Sequence, residues 1–184
     1  HPTARAANNY PGRMGLTPVV TLSERHGWKS EPFTLEMSCA DDPTADIYYT
    51  TDGTQPTINS SLYEGPITIS KTTVIRAAAP NKDALLQQDA SATYLFVDDI
   101  VRQSGTPPGF PTSGSVNGQA MKYGLNSTTL NNDRARFING ITNAPHVATL
   151  SLVCNLADLF GSGTGIYVYP SNQGRGWERP VSIE

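Results

Sequence analysis

From Phe33 to Cys39 the apolar residues Phe33, Leu35, Met37 and Cys39 alternate with polar Thr34, Glu36 and Ser38. A period of two puts the apolar set on one face, so the pattern predicts a half-buried strand over 33–39. Asp41, Asp42 and Pro43 then interrupt it. In residues 46–53, Ile47 to Thr51 are strong strand formers, and Asp52-Gly53 predicts a turn because glycine takes positive φ at low cost. Gly65-Pro66 opens a further strand, Ile67 to Ile69. Residues 72–79 alternate again, with Val74, Arg76 and Ala78 set against Thr73, Ile75 and Ala77, and Ser91 to Val97 closes the group. The turn signals recur at the spacing of a small β-sandwich. The one helical candidate here, 83–88, is too short to carry weight.

The flanking regions have a different texture. Asn8, Asn9, Pro11, Gly12, Gly15 and Pro18 punctuate the start of the chain, and Val19 to Leu22 predicts an extended strand at the end of that arm. Between residues 104 and 118 stand Gly105, Pro107, Pro108, Gly109, Pro111, Gly114 and Gly118, the composition of a linker or long loop. Beyond it, 131–139 predicts a short helical turn, 146–154 a strand, 156–160 one helical turn, 165–169 a strand ended by Pro170, and 177–184 a last strand. The expected organisation is an arm over 1–28, a module over 29–98, a Gly/Pro-rich linker over 99–120 and a β-rich region over 121–184. The chain begins at His1 and stops inside a predicted strand. The expectation is therefore a trimmed N-terminus and an incomplete last domain.

Composition agrees with an all-β chain. The sequence has 16 Gly and 14 Pro, and only 16% of its residues are charged. That mix disfavours long helices and suits strands joined by many turns. A formal net charge of −3, with no Lys/Arg cluster, argues against a nucleic-acid partner. No apolar run approaches the ~20 residues needed for membrane insertion as a helix. Low charge with abundant Thr and Asn is associated with exported proteins, so the expected location is extracellular or at a cell surface. Cys39 and Cys154 lie far apart, and the sequence leaves open both a disulfide and two free thiols.

Two stretches resemble known families. Residues 29–97 resemble the C-terminal-type module of chitobiase and β-hexosaminidases through Ile47 to Pro56 (IYYTTDGTQP), Ser61-Leu62-Tyr63, Gly65 to Ile69, Thr72 to Ala79 and Thr93-Tyr94. That resemblance implies an immunoglobulin-like β-sandwich with no catalytic residues of its own. Residues 98–184 resemble the stretch between such a module and a spore-coat kinase-like (CotH-type) domain. The carriers are Gly109-Phe110-Pro111, Tyr123 to Asn126, Thr149 to Val153, Leu156 to Phe160, Gly165 to Val168 and Gly174 to Ser182. In that family the kinase-like residues follow this stretch, so no kinase activity is implied for these 184 residues. The expected fold class is thus all-β: an immunoglobulin-like sandwich followed by a smaller β-rich region with long loops.

No catalytic constellation stands out, and neither a cofactor nor a metal is expected. Gly161 to Gly165 (GSGTG) lacks the Lys-Ser/Thr and the helix of a phosphate loop, and has Gly where a nucleophile elbow needs Ser. It reads as a hairpin loop. His1, His26 and His146 show no ligand spacing, and Asp41, Asp42, Asp46 and Asp52 read as turn residues before a calcium site. Asn59 and Asn126 head glycosylation sequons. The leading functional expectation is a non-catalytic structural or interaction module of an exported protein, partnered by itself or by neighbouring domains. A second is a self-assembling fibre subunit whose arm adds a strand to a neighbour through Val19, Val20 and Leu22. A third is a carbohydrate-binding accessory module contacting polysaccharide through Trp28 and Trp177.

Overall fold

A computed structural model describes residues 17–80, 88–111, 115–116, 119–142 and 148–184. The predicted helical stretch at 83–88 lies almost wholly outside the described residues, as do residues 1–16 of the arm.

The module consists of two sets of strands that share one core. One set is a five-stranded sheet of β2 (Gly27–Lys29), β5 (Tyr48–Thr50), β6 (Ser61–Leu62), β8 (Thr73–Ala78) and β9 (Asp89–Phe96). Its order is β2-β9-β8-β5-β6, antiparallel throughout except where β2 runs parallel to β9. The other set comprises two antiparallel pairs. In one, β1 (Val20–Leu22) pairs with β4 (Met37–Cys39); in the other, β3 (Phe33–Leu35) pairs with β7 (Ile67–Ile69).

The stretch predicted as one strand over 33–39 is therefore two. The chain changes partner at Glu36, whose N–H donates to Ser23 Oγ and whose carbonyl accepts from the Ser23 N–H. The alternation survives this break because both halves face the same core. Leu35, Met37 and Cys39 are all buried, together with Val20 from β1 and Ile69 from β7. The five-stranded sheet contributes Ile75 and Ala77 from β8, and Ala92, Tyr94 and Phe96 from β9. Tyr94 is fully buried. Its hydroxyl donates to the Glu24 carbonyl at 2.8 Å, and its ring meets Phe33 edge-on at 4.9 Å. A buried phenol needs such a partner, since an unpaired one costs roughly 1–3 kcal/mol.

Beyond the sandwich, α1 (Val97–Ile100) carries the chain off β9. A minimal ribbon of β10 (Ser115–Val116) and β11 (Gln119–Ala120) precedes α2 (Ser127–Asn132) and α3 (Arg134–Thr142). Then come β12 (Leu152–Val153), α4 (Leu156–Phe160), a single 3-10 turn at Arg175–Trp177 and β13 (Ser182–Ile183), which pairs antiparallel with β12.

Several expectations for this second half are corrected. Among its described residues, 121–184 holds three helices and one two-stranded ribbon, so it is mixed rather than β-rich. The strand expected over 146–154 reduces to Leu152 and Val153 among the described residues, and the one over 177–184 to Ser182 and Ile183. The strand expected over 165–169 is a set of turns folded back on α4. Ile166 N–H bonds the Asp158 carbonyl, Tyr167 N–H the Leu159 carbonyl, and Gly165 N–H the Gly161 carbonyl. The glycine run is accordingly a helix-terminating turn, not a hairpin loop. Its close packing explains the glycines: a Cβ on Gly165 would lie 2.6 Å from the Leu159 carbonyl oxygen, and one on Gly161 2.4 Å from that of Ala157.

Phe110, Tyr123, Phe160 and Tyr167 form a small aromatic cluster, with neighbouring rings 5.1–5.5 Å apart from Phe110 to Tyr123, Phe110 to Phe160 and Phe160 to Tyr167. Phe110 belongs to the stretch read as a linker, so that stretch packs on α4 rather than merely spanning a gap.

Candidate functional site

The outer face of the five-stranded sheet carries an unusual set of side chains. On β8 and β9 the residues opposite the core include Val74, Arg76, Ser91 and Thr93, because strand residues alternate between faces. A polar outer face is what solvent exposure would produce. Yet Thr93 is buried, because the chain returns from nearly a hundred residues away to cover it.

The cover is the ribbon β12–β13. Ser151 and Glu184 extend its ladder by one pair, each donating its N–H to the other's carbonyl at 3.0 Å. Toward the sheet the ribbon presents Ser151, Ser182 and Glu184 together with the buried Val153, and Glu184 Oε1 is buried with no hydrogen-bond partner among the described residues. Glu184 Oε2 accepts the Thr93 N–H at 2.6 Å, the Thr93 and Ser151 hydroxyls share a 2.6 Å bond, and Ser91 and Ser182 share another. Nearby, the Trp28 indole N–H donates to Thr149 Oγ1 at 3.1 Å.

Arg76 links three parts of this seam. Its Nε and Nη2 lie 2.7 and 2.6 Å from Asp89 Oδ2, and its Nη1 donates at 3.2 Å both to the Gly53 carbonyl and to Asn155 Oδ1. Asn155 precedes α4, so one guanidinium ties the sheet, the 52–53 turn and the start of α4 together. A planar five-donor head is suited to such multiple acceptance, and lysine would not reproduce it.

The outward side of the same ribbon is apolar. Leu150, Leu152, Val181 and Ile183 lie on it, and the directly opposed pair Leu152 and Ile183 is 59% and 64% exposed. Leu152 and Ile183 thus face outward, while Val153 is buried on the sheet side and Ser182 lies at the exposed margin. Exposed apolar surface of this kind on a short sheet marks an interaction face more often than chance.

Beside β12 runs a cleft of about 540 Å³, mostly apolar, between the turn at Asp52 to Thr54 with Val74 on one side and Pro108 to Phe110 with Leu156 and Leu159 on the other. Its floor is β12 and its continuation, Ser151 to Asn155. Gly53, at φ +79°, sits against Val74 and Val153. Asp52 Oδ1 accepts from both the N–H and the hydroxyl of Thr54, bonds that hold its pKa below the ordinary 3.8.

The residues singled out by sequence are dispersed. Val20 and Leu22 lie in β1, paired within the chain to Cys39 and Met37; Val20 is buried and Val19 exposed. Strand donation by this arm to a neighbour therefore requires β1 to leave β4. Trp28 lies on β2, tied to Thr149. Trp177 stands elsewhere, edge-on to Tyr169 at 5.5 Å, with the Arg179 guanidinium 5.7 Å from its ring centre. Asp42, like Asp52, closes a turn by accepting from the threonine two residues on.

Cys39 and Cys154 are free thiols, and burial pushes both pKa values up. Sequence reading missed Arg76, Thr93, Ser151 and Glu184 as a group. Each is unremarkable on its strand, and the return of residues 148–184 brings them together, although Arg76 also holds Asp89 and the Gly53 carbonyl within the module.

Residues 25–92 match the family model for the chitobiase/beta-hexosaminidase C-terminal domain. Domains of that family are immunoglobulin-like, non-catalytic accessory modules of glycosidases. No curated protein and no solved structure matches the chain. No helix among the described residues is long and apolar enough to cross a membrane, and no group of three or more His, Cys, Asp or Glu among them is arranged to hold a metal ion.

Proposed function

We propose that the protein is a non-catalytic structural module of an exported protein, and that its immunoglobulin-like sheet serves as a platform on which residues 148–184 are held. The observation that carries this reading is the polar seam at Thr93. Three short hydrogen bonds join β9 to the ribbon, and Arg76 braces both. Thr93 is buried, so sliding the ribbon would leave its N–H and hydroxyl unpaired at about 1–3 kcal/mol each, which favours one register. The matched family supports an accessory role, and its occurrence in secreted glycosidases supports export.

Cys154 reports on the seam because it borders both the cleft and the pocket that contains Arg76 and Ser182. In the double variant Thr93→Val with Ser151→Ala, alkylation of Cys154 by iodoacetamide should speed up about tenfold or more, while Cys39 in the sandwich core stays slow. Equal rates for the variant and the parent would rule out a latching role for these bonds.

A second reading is carbohydrate binding, favoured by the exposed Tyr169 ring beside Trp177. Pull-down on insoluble chitin and cellulose tests it. Trp177→Ala should lower retention about two- to tenfold, the range expected for one lost aromatic contact. Trp28→Ala should act less on retention, because its indole N–H is engaged within the chain.

A further inference from the structure

We propose that the free edge of β12, with the cleft beside it, is a docking site for one extended peptide strand of a partner, apolar at alternate positions and carrying a basic residue. The argument starts from the ladder. Ser151 and Val153 direct their main-chain groups toward β13, as the Ser151–Glu184 bonds and the Val153–Ser182 pairing show. By alternation the N–H and C=O of Leu152 and Cys154 point the other way. Among the described residues nothing bonds to them. An unpaired strand edge of this kind is a template for another strand, and proteins usually blunt it with charge, proline or cover. Here it is lined instead by an apolar cleft.

The two pockets flanking the ribbon settle which side is which. The cleft is lined by Ser151 to Asn155 and by no residue of β13, whereas the pocket on the other side includes Pro180 to Ser182. The cleft thus follows the unpaired edge.

Its size fits a single strand. At roughly 3.3 Å rise, 4.8 Å strand spacing and 10 Å layer spacing, an extended residue occupies about 160 Å³. A volume of about 540 Å³ then holds a little over three residues. The walls are Val74 on one side and Phe110, Leu156 and Leu159 on the other. Apolar walls would take alternate side chains while the edge of β12 supplies main-chain bonds, which is the division of labour in strand addition. The charge preference comes from Asp52. It borders the cleft, is exposed, and pairs with no Lys or Arg among the described residues. A peptide cation placed at that end would be matched, and a carboxylate repelled.

The test is titration of the 15N-labelled chain 1–184 with the peptide acetyl-Lys-Val-Thr-Val-Thr-amide. Three comparison peptides are used: one with glutamate in place of lysine, one N-methylated at both valines, and one N-methylated at both threonines. The proposal expects the amide signals of Leu152 and Cys154 to move and to saturate. It expects one methylated peptide, not both, to bind about tenfold or more weakly, because only alternate amides face the edge, and it expects the glutamate peptide to bind several-fold more weakly. Signals that stay fixed at millimolar peptide overturn it, as do methylated peptides that bind alike. Movement of the same amides with protein concentration alone, together with a doubled particle mass, also overturns it, because the edge would then pair with a second copy.

Discussion

Replacing Arg76 with methionine should detach the C-terminal ribbon from the sheet while leaving the sandwich folded. The aliphatic part of arginine is retained, so packing changes little and the lost element is the guanidinium. Its removal strands Asp89, which is only partly exposed, and frees the Gly53 carbonyl and Asn155 Oδ1 together. Breaking a fully buried ion pair costs about 3–5 kcal/mol, and the partial exposure here brings the expectation down to roughly 2–3 kcal/mol. Hydrogen exchange locates the loss. Protection should fall at Thr93, Ser151 and Val153, whereas Ile75, Ala77 and Tyr94 should keep theirs. Adding Asp89→Asn to the methionine variant should recover part of the loss, because the stranded charge goes. If exchange at Thr93 is unchanged in the single variant, Arg76 does not brace the seam.

That outcome bears on what was legible in the sequence. The sandwich was readable because its core residues declare themselves locally. Phe33 to Cys39 and Thr73 to Ala78 alternate with period two, and Asp52-Gly53 turns where its composition says it should. Even the break at Glu36 left the alternation intact, since both halves of the strand face one core. The second half was not readable in the same way. Gly165 to Tyr169 has strand composition, yet Gly161 and Gly165 allow so close an approach to α4 that the backbone bonds are spent on the helix end rather than on a partner strand. In β12 and β13 apolar residues fall on both faces: Val153 is buried toward the sheet, whereas Leu152 and Ile183 stay exposed. Periodicity reports that two faces differ; it does not report which one is buried. The seam itself joins residues 58 and 91 positions apart, and no local signal announces such a pairing.

The arm is where the fold and the assembly reading diverge most sharply, and removal of residues 1–22 separates them. Within the chain, Val20 is buried against the core and its strand pairs with Cys39, Thr21 with Ser38 and Leu22 with Met37. Thr17 also accepts the Gln88 N–H at 2.7 Å, just before β9. Deletion therefore strips β4 of its only strand partner among the described residues and opens Leu35, Met37 and Cys39 to water. Loss of Val20 alone removes about 1.5–3 kcal/mol of burial, and the missing ladder bonds add to it. For a chain of this size each kcal/mol lowers the melting temperature by roughly 2–4 °C, so a fall of about 10 °C or loss of a cooperative transition is expected. Adding a synthetic peptide of residues 17–24 should restore the transition, because the edge of β4 is then refilled in the same register. A truncated chain that melts as the parent does, and loses only its tendency to assemble, would show that β1 serves a neighbour rather than its own sandwich.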